Sequence, residues 1–168
     1  MSNSFIDSKA AELVQFQDAL DAARLRGPGP YGALFDSPPE GLSVHEINTE
    51  KVLVRVSAAH ERLLGYTPGK MTGRPVSSFV VLKEVSETAM SRKLSGGGAL
   101  EPYARAFVRA DGSGVTMLQL DRHLRDAAGN VTGIRTVLTL LPSAPATGTW
   151  PRPALPPGGP AGGPAARS

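Results

Sequence analysis

Asp121 and His123 are the two side chains whose types and spacing come nearest to chemistry. They alternate along the stretch from Gly114 to Arg125, so on a strand they share one face and could together act as metal ligands. Two ligands on one strand fall short of the three or four that a metal site needs, and the expectation is a solvated or structural pair with no metal. His60 reads as a packing or surface histidine. Gly96-Gly97-Gly98 invites a phosphate-loop reading, but the run follows a helical stretch instead of opening one, and no Gly-Lys-Ser/Thr comes after it. A loop is expected there. The chain has no cysteine, which removes disulfides, thiolate metal sites and thiol nucleophiles. It also has no Gly-x-Ser-x-Gly, His-x-x-x-His or Glu-x-x-His pattern. Catalysis is therefore not expected, and Asp121 is the one acid on which a small-cavity enzyme could be built.

The elements that must position these residues follow from periodicity and punctuation. Phe5 to Arg26 reads as a helix with Ile6, Leu13 and Leu20 at seven-residue spacing, Phe16 and Ala23 between them and Lys9 as the exception. This stripe either pairs with its copy in a homodimer or folds back over its own sheet. Gly27-Pro28-Gly29-Pro30 reads as a helix-free linker, residues 27–30. A short helical turn, Tyr31 to Phe35, leads to a first strand, Leu42 to Ile47. Asn48-Thr49-Glu50 then turns the chain into a second strand, Lys51 to Val56. Ser57 caps a helix from Ala58 to Leu64, and Gly65 ends it in the left-handed region. Thr67-Pro68 and Gly73-Arg74-Pro75 suggest two more helical turns before a long helix, Val81 to Leu94, with Val85, Ala89 and Leu94 on one side. Tyr103 to Arg109, Gly114 to Arg125 and Val131 to Leu141 are three strands joined by Asp111-Gly112 and Ala128-Gly129-Asn130. The fold class is α+β: a five-stranded antiparallel sheet with short helices on one face, preceded by an amphipathic helix, residues 1–26.

The run from Val56 through Ser57-Ala-Ala-His60-Glu-Arg-Leu-Leu-Gly-Tyr-Thr-Pro-Gly-Lys-Met-Thr-Gly to Arg74-Pro75 resembles the early half of a PAS domain. Arg109-Ala-Asp-Gly-Ser113, followed by Arg125-Asp-Ala-Ala-Gly-Asn-Val-Thr-Gly-Ile134, resembles the closing strands of the same family. The resemblance spans residues 31–141. Three positions depart from the family pattern: Ser57 where Asn is common, Lys70 where Glu is usual, and Leu140-Leu141-Pro142 where many members end in Asp-x-Thr. The last argues against the family's usual handover to a downstream signalling helix. Flavin photoreceptors of this family form their adduct on a cysteine whose place here is Val76, and haem-binding members mostly ligate iron through a histidine on the long helix, which has none. The resemblance thus argues against both cofactors and names no other.

Alternation and resemblance disagree about the fourth strand. Alternation alone would place Leu118, Leu120 and Leu124 beneath the helices. The resemblance implies the reverse, with Met117, Gln119 and Asp121 toward the interior, and we adopt it. The ligand-lining set is then Phe107, Met117, Gln119, Asp121, Ile134 and Leu138, and buried Gln119 and Asp121 need partners from a ligand, water or backbone. The outward leucines require cover, so Ile6, Leu13, Phe16, Leu20, Leu118 and Leu120 form the dimerisation set, unless the helix covers its own sheet.

The formal charge of +3 is partly a property of the tail, residues 142–168, where Arg152 and Arg167 have no acidic neighbour. Without these two, 16 basic side chains face 15 acidic ones, so a nucleic-acid partner is not expected. The Pro/Gly/Ala composition of that tail reads as disordered. No long apolar run suggests a membrane span or an export signal, so the expected compartment is cytoplasmic. The resemblance implies a sensory or signalling module without an effector of its own, a homodimer with a signalling partner protein and a small-molecule ligand. The alternatives are a structural dimerisation or adaptor module with a fully packed core and, third, the small-cavity enzyme.

Overall fold

The computed structural model describes residues 4–96 and 100–142. In chain order it contains helices α1 (Ser4–Arg26) and α2 (Pro28–Asp36), strands β1 (Leu42–Asn48) and β2 (Leu53–Val56), and helix α3 (Ala58–Leu64). A short 3₁₀ helix (Val76–Phe79), helix α4 (Lys83–Leu94) and strands β3 (Tyr103–Val108), β4 (Gly114–Arg125) and β5 (Val131–Leu140) follow. The strands form one five-stranded sheet in the order β2-β1-β5-β4-β3, antiparallel throughout. This is the α+β architecture expected from the sequence. Gly97, Gly98 and the tail beyond Pro142, including Trp150, lie outside the described residues.

The stretch between α3 and α4 runs from one edge of the sheet to the other. Ser57 caps α3 by accepting from the His60 amide, and Gly65, at φ 81°, closes it. The chain next turns at Thr67 to Lys70, where the Lys70 amide donates to the Thr67 carbonyl and Gly69 sits at φ 85°. Pro68 in second place and a left-handed glycine in third make a type II turn, not the helical turn expected from Thr67-Pro68. Gly73, at φ 90°, repeats the device, with the Arg74 amide donating to the Met71 carbonyl. Gly73 and Arg74 exchange backbone hydrogen bonds with Leu53 on β2, and at the far end the Val81 amide donates to Ala106 on β3. Both outer strands are thereby partly paired, which blunts two edges that could otherwise recruit another chain.

Two apolar layers result. Beneath the connector and α4, Ile47, Leu64, Met71, Phe79, Met90, Phe107, Met117, Ile134 and Leu138 form the inner core. On the opposite face, Leu13, Phe16 and Leu20 of α1 and Tyr31 and Phe35 of α2 pack on Leu42, Val44, Leu118, Leu120 and Val137. Burial of a side chain of this size stabilises by about 1.5–3 kcal/mol, so α1 belongs to the fold of this chain. Of the two fates open to the helix, the structure shows it covering its own sheet. Leu13, Phe16, Leu20, Leu118 and Leu120 are buried within one chain and Ile6 packs against them, so as arranged here these six do not offer a surface to a second copy.

Two other expectations need correction. Residues 27–30 are not helix-free: Gly27 alone breaks the path, at φ 132°, and Pro28 and Pro30 lie in the first turn of α2. A first turn has no intrahelical acceptor for its amides, so proline there costs no hydrogen bond. On α4, Ser86 and Met90 point inward while Val85 is 58% exposed. Val80 and Val81 are tied to β3 before the helix begins, and that anchorage sets the helical phase against the apolar spacing.

Candidate ligand-binding site

The inner face of the sheet carries a polar stripe inside the apolar core. Across the ladders, His45 of β1 pairs with Thr136 of β5, which pairs with Asp121 of β4. One step along, Ser43 pairs with Leu138, Leu138 with Gln119, and Gln119 with Tyr103 of β3. Residues opposite one another share a face, so the two rows lie side by side. α3 adds His60 and α4 adds Lys93.

Asp121 is enclosed by its own chain. Lys93 Nζ forms an ion pair with its Oδ2, Tyr103 donates to the same oxygen at 2.8 Å, and Thr136 donates to Oδ1 at 2.5 Å. Burial would raise its pKa, but the Lys93 charge and these three donors hold it below the usual carboxylate range. Asp121 is therefore an ionised structural acceptor. A general base working near neutral pH needs the opposite shift. The Tyr103 hydroxyl also accepts from Lys93 Nζ and from Gln119 Nε2, each at 2.7 Å. Burial, then the Asp121 charge, raises its pKa, with Arg105 opposing.

His45 and His60 stand with ring centroids 5.0 Å apart. His60 Nδ1 lies 3.2 Å from Ser43 Oγ. Burial lowers the pKa of His45 to about 4, the Asp121 charge opposing, and lowers that of His60 well below 6.5 with His45 adding to the effect. Both rings are neutral at neutral pH. His123 shares the Asp121 face as expected, but its Nε2 meets the Lys93 carbonyl at 2.7 Å at the end of α4. Among the described residues no group of three or more His, Cys, Asp or Glu side chains is placed to hold a metal ion.

Three buried polar atoms on or beside this face have no hydrogen-bond partner among the described residues: Gln119 Oε1, Arg105 Nε and His45 Nδ1. Leaving such an atom unpaired costs about 1–3 kcal/mol. Arg105 lies over the Tyr103 ring, its guanidinium carbon 5.2 Å from the centroid.

The structure brings the six sequence-named residues together. Phe107, Met117, Ile134 and Leu138 line the inner core, and Gln119 and Asp121 are buried among them. Leu118 and Leu120 pack with α1, and Leu124 alternates onto the same face, so β4 has the phase implied by the resemblance and not by alternation alone. The partners of Asp121 correct the expectation of ligand, water or backbone, because all three are side chains of the chain itself. Tyr103 and Arg105 were readable, since they alternate with Phe107 on one strand; so was His45, two residues before Ile47. Lys93 was not, because it reaches the site only through the tertiary placement of α4.

No family model matches the chain, and no curated protein matches it. Solved structures do. The PAS domain of a Colwellia psychrerythraea protein superposes with a TM-score of 0.57 at 13% identity, over 66% of this chain and 92% of that one. The PAS domain of an HTR-like protein from Haloarcula marismortui gives 0.56 at 16%, over 74% of this chain and 97% of that one. A light-oxygen-voltage domain studied with a flavin analogue gives 0.54 at 21%, over 68% and 86%.

This chain has the PAS fold.

At these identities the likeness is one of architecture. Within the PAS fold, α3, the connector and α4 form the inner cover, while α1 and α2 close the outer face. Val76, the position given to a cysteine in flavin photoreceptors, begins the 3₁₀ helix and is buried. No described helix is long and apolar enough to cross a membrane.

Proposed function

We propose that this chain is a PAS-type sensory or signalling module that binds a small polar ligand against the inner face of its sheet and relays that binding to another protein, without catalysis. The observation that carries this reading is the pair of unpartnered buried atoms on adjacent strands, Gln119 Oε1 and Arg105 Nε. A core built only for packing has no use for them, whereas a ligand would answer both. The closed Lys93–Asp121–Tyr103 group beside them favours a second reading, a packed structural or adaptor module, because it already meets its own hydrogen-bonding needs. Native mass spectrometry of the full chain separates the two. The sensor reading expects a retained small molecule in the parent protein and its loss in Gln119→Leu. The same ligand-free mass in both proteins, with no stabilisation by any member of a panel of small polar metabolites, favours the adaptor.

A homodimer stays within the proposal, but it needs a surface other than the Leu13–Leu20 stripe, which the chain uses for its own sheet. Light scattering reports it directly. The cytoplasmic assignment rests on the sequence expectation alone.

A further inference from the structure

Resting on that reading, we infer that the inner site takes a small carboxylate bearing a hydrogen-bond donor beside the carboxylate group, as in an α-hydroxy or α-amino acid. Charge is the first reason. Lys93 Nζ and the Arg105 guanidinium carbon lie 4.1 and 5.2 Å from the Tyr103 ring centroid. Asp121 answers Lys93, but among the described residues no carboxylate forms an ion pair with Arg105. Two cations and one anion leave the cluster positive, and a carboxylate matches a guanidinium both in charge and in geometry.

The second reason is the sense of the unmet hydrogen bonds. Arg105 Nε–H is a donor that lacks an acceptor, and Gln119 Oε1 is an acceptor that lacks a donor. Tyr103 does not meet these two atoms: its hydroxyl donates to Asp121 and accepts from Lys93 and Gln119, and the Arg105 guanidinium also approaches it, yet Arg105 Nε stays without an acceptor. Gln119 pairs with Tyr103 and Arg105 pairs with Met117, which makes Arg105 and Gln119 diagonal neighbours on one sheet face. Side chains of this length meet across the roughly 7–8 Å of such a diagonal. A carboxylate on Arg105 then brings an adjacent hydroxyl or ammonium within reach of Gln119. A bare carboxylate leaves Gln119 unmet, and a neutral amide leaves the Arg105 charge unanswered.

There is also an approach. β3 pairs with β4 only as far as Gln119, and against the edge of β4 beyond it lies an open cleft of about 340 Å³ lined by Leu100, Leu120, Asp121, Arg122, His123 and Arg125, residues of both sheet faces. It abuts Asp121, one hydrogen bond from Tyr103, but neither Arg105 nor Gln119 lines it, so it is a way in and not the site itself.

Titration calorimetry on the full chain with glycolate, propionate and glycolamide tests the assignment, since propionate lacks the donor and glycolamide lacks the charge. Glycolate is expected to bind, the other two at least about tenfold more weakly. Arg105→Met and Gln119→Leu should each weaken glycolate by about tenfold or more in a protein whose circular dichroism shows the fold intact; Gln119→Leu also gives up the hydrogen bond to Tyr103, so a modest fall in its melting temperature is expected. Glycolamide binding as tightly as glycolate, glycolate binding unchanged in Arg105→Met, or no binding of glycolate, lactate or glycine would each overturn the inference. A retained neutral ligand in the native mass spectrum would overturn the carboxylate class and leave the sensor reading standing. A chain that retains nothing and binds none of these acids would overturn both.

Discussion

Lowering the pH should unfold this protein in a window set by His45 and His60. The ordinary histidine pKa is 6.5, which the unfolded chain keeps, while burial holds His45 at about 4 in the folded chain. Below pH 6.5 the unfolded chain therefore takes a proton that the folded chain refuses, so stability falls as pH falls through the window from 6.5 to about 4. At about 1.4 kcal/mol per pKa unit, His45 alone costs about 2 kcal/mol at about pH 5 and about 3 kcal/mol at the bottom of the window. His60 shifts in the same direction, so the two costs add. The buried carboxylate Asp121 acts elsewhere: its pKa is depressed, so its stabilising contribution is lost only below the ordinary aspartate value of 3.8. Urea unfolding followed by far-ultraviolet circular dichroism, at several pH values between neutral and about pH 5, measures the slope. His45→Phe should flatten it in part and His45→Phe with His60→Phe should nearly abolish it, whatever either variant does to stability at neutral pH. A parent protein whose unfolding midpoint does not change between neutral pH and about pH 5 would refute the reasoning, because a buried neutral histidine cannot avoid this linkage.

Gly133→Ala should cost about 3 kcal/mol or more in denaturant unfolding. A Cβ there would stand 2.1 Å from the Ile47 carbonyl oxygen, and β1 is held on both sides; an unchanged midpoint would refute it. Leu13→Asp with Leu20→Asp, which the sequence alone presents as a monomerising change, should instead open the outer core. Circular dichroism should show loss of fold, and a stable folded monomer derived from a dimeric parent would contradict the packing. Asp121→Leu should destabilise by about 3–5 kcal/mol because Lys93 and Tyr103 lose their acceptor, and Lys93→Met added to it should recover much of that loss; additive losses in the double-mutant cycle would exclude the coupling.

Where local signals and tertiary demands agreed, the sequence was readable. Ser57 and Gly65 bound α3 as their chemistry dictates, and Asp111-Gly112 and Gly129 turn the strands where hairpins require it. The misreadings have specific causes. Thr67-Pro68 can open a helix, and only Gly69 decides for a type II turn. Pro28 and Pro30 forbid a helix interior but not a first turn. Val85 lost to Ser86 because α4 inherits its phase from the β3 edge. Within the site, the phase of β4 was accessible through resemblance, whereas the partners of Asp121 were not: Lys93 and Asp121 are 28 residues apart, and no local pattern joins them.

The outer face carries a feature that periodicity hides altogether. Arg135 is 0% exposed, on the middle strand of the sheet under α1. Its Nε donates to Gln17 Oε1 at 2.7 Å, and it forms an ion pair with Asp21. Gln17 Nε2 in turn donates to the carbonyls of Leu120 and Arg135 at 2.9 and 3.0 Å. A stripe of leucines could slide by a turn along an apolar sheet; this network accepts one register only. Leu120, Asp121 and Arg122 are consecutive, so the strand that presents Asp121 to the inner site also presents Leu120 to Gln17 and Arg122 to Asp18 and Asp21. On the proposed function, a ligand that draws Gln119 inward acts on the strand to which α1 is fastened. β4 thus joins the inner site and the α1 cover through consecutive residues of one strand.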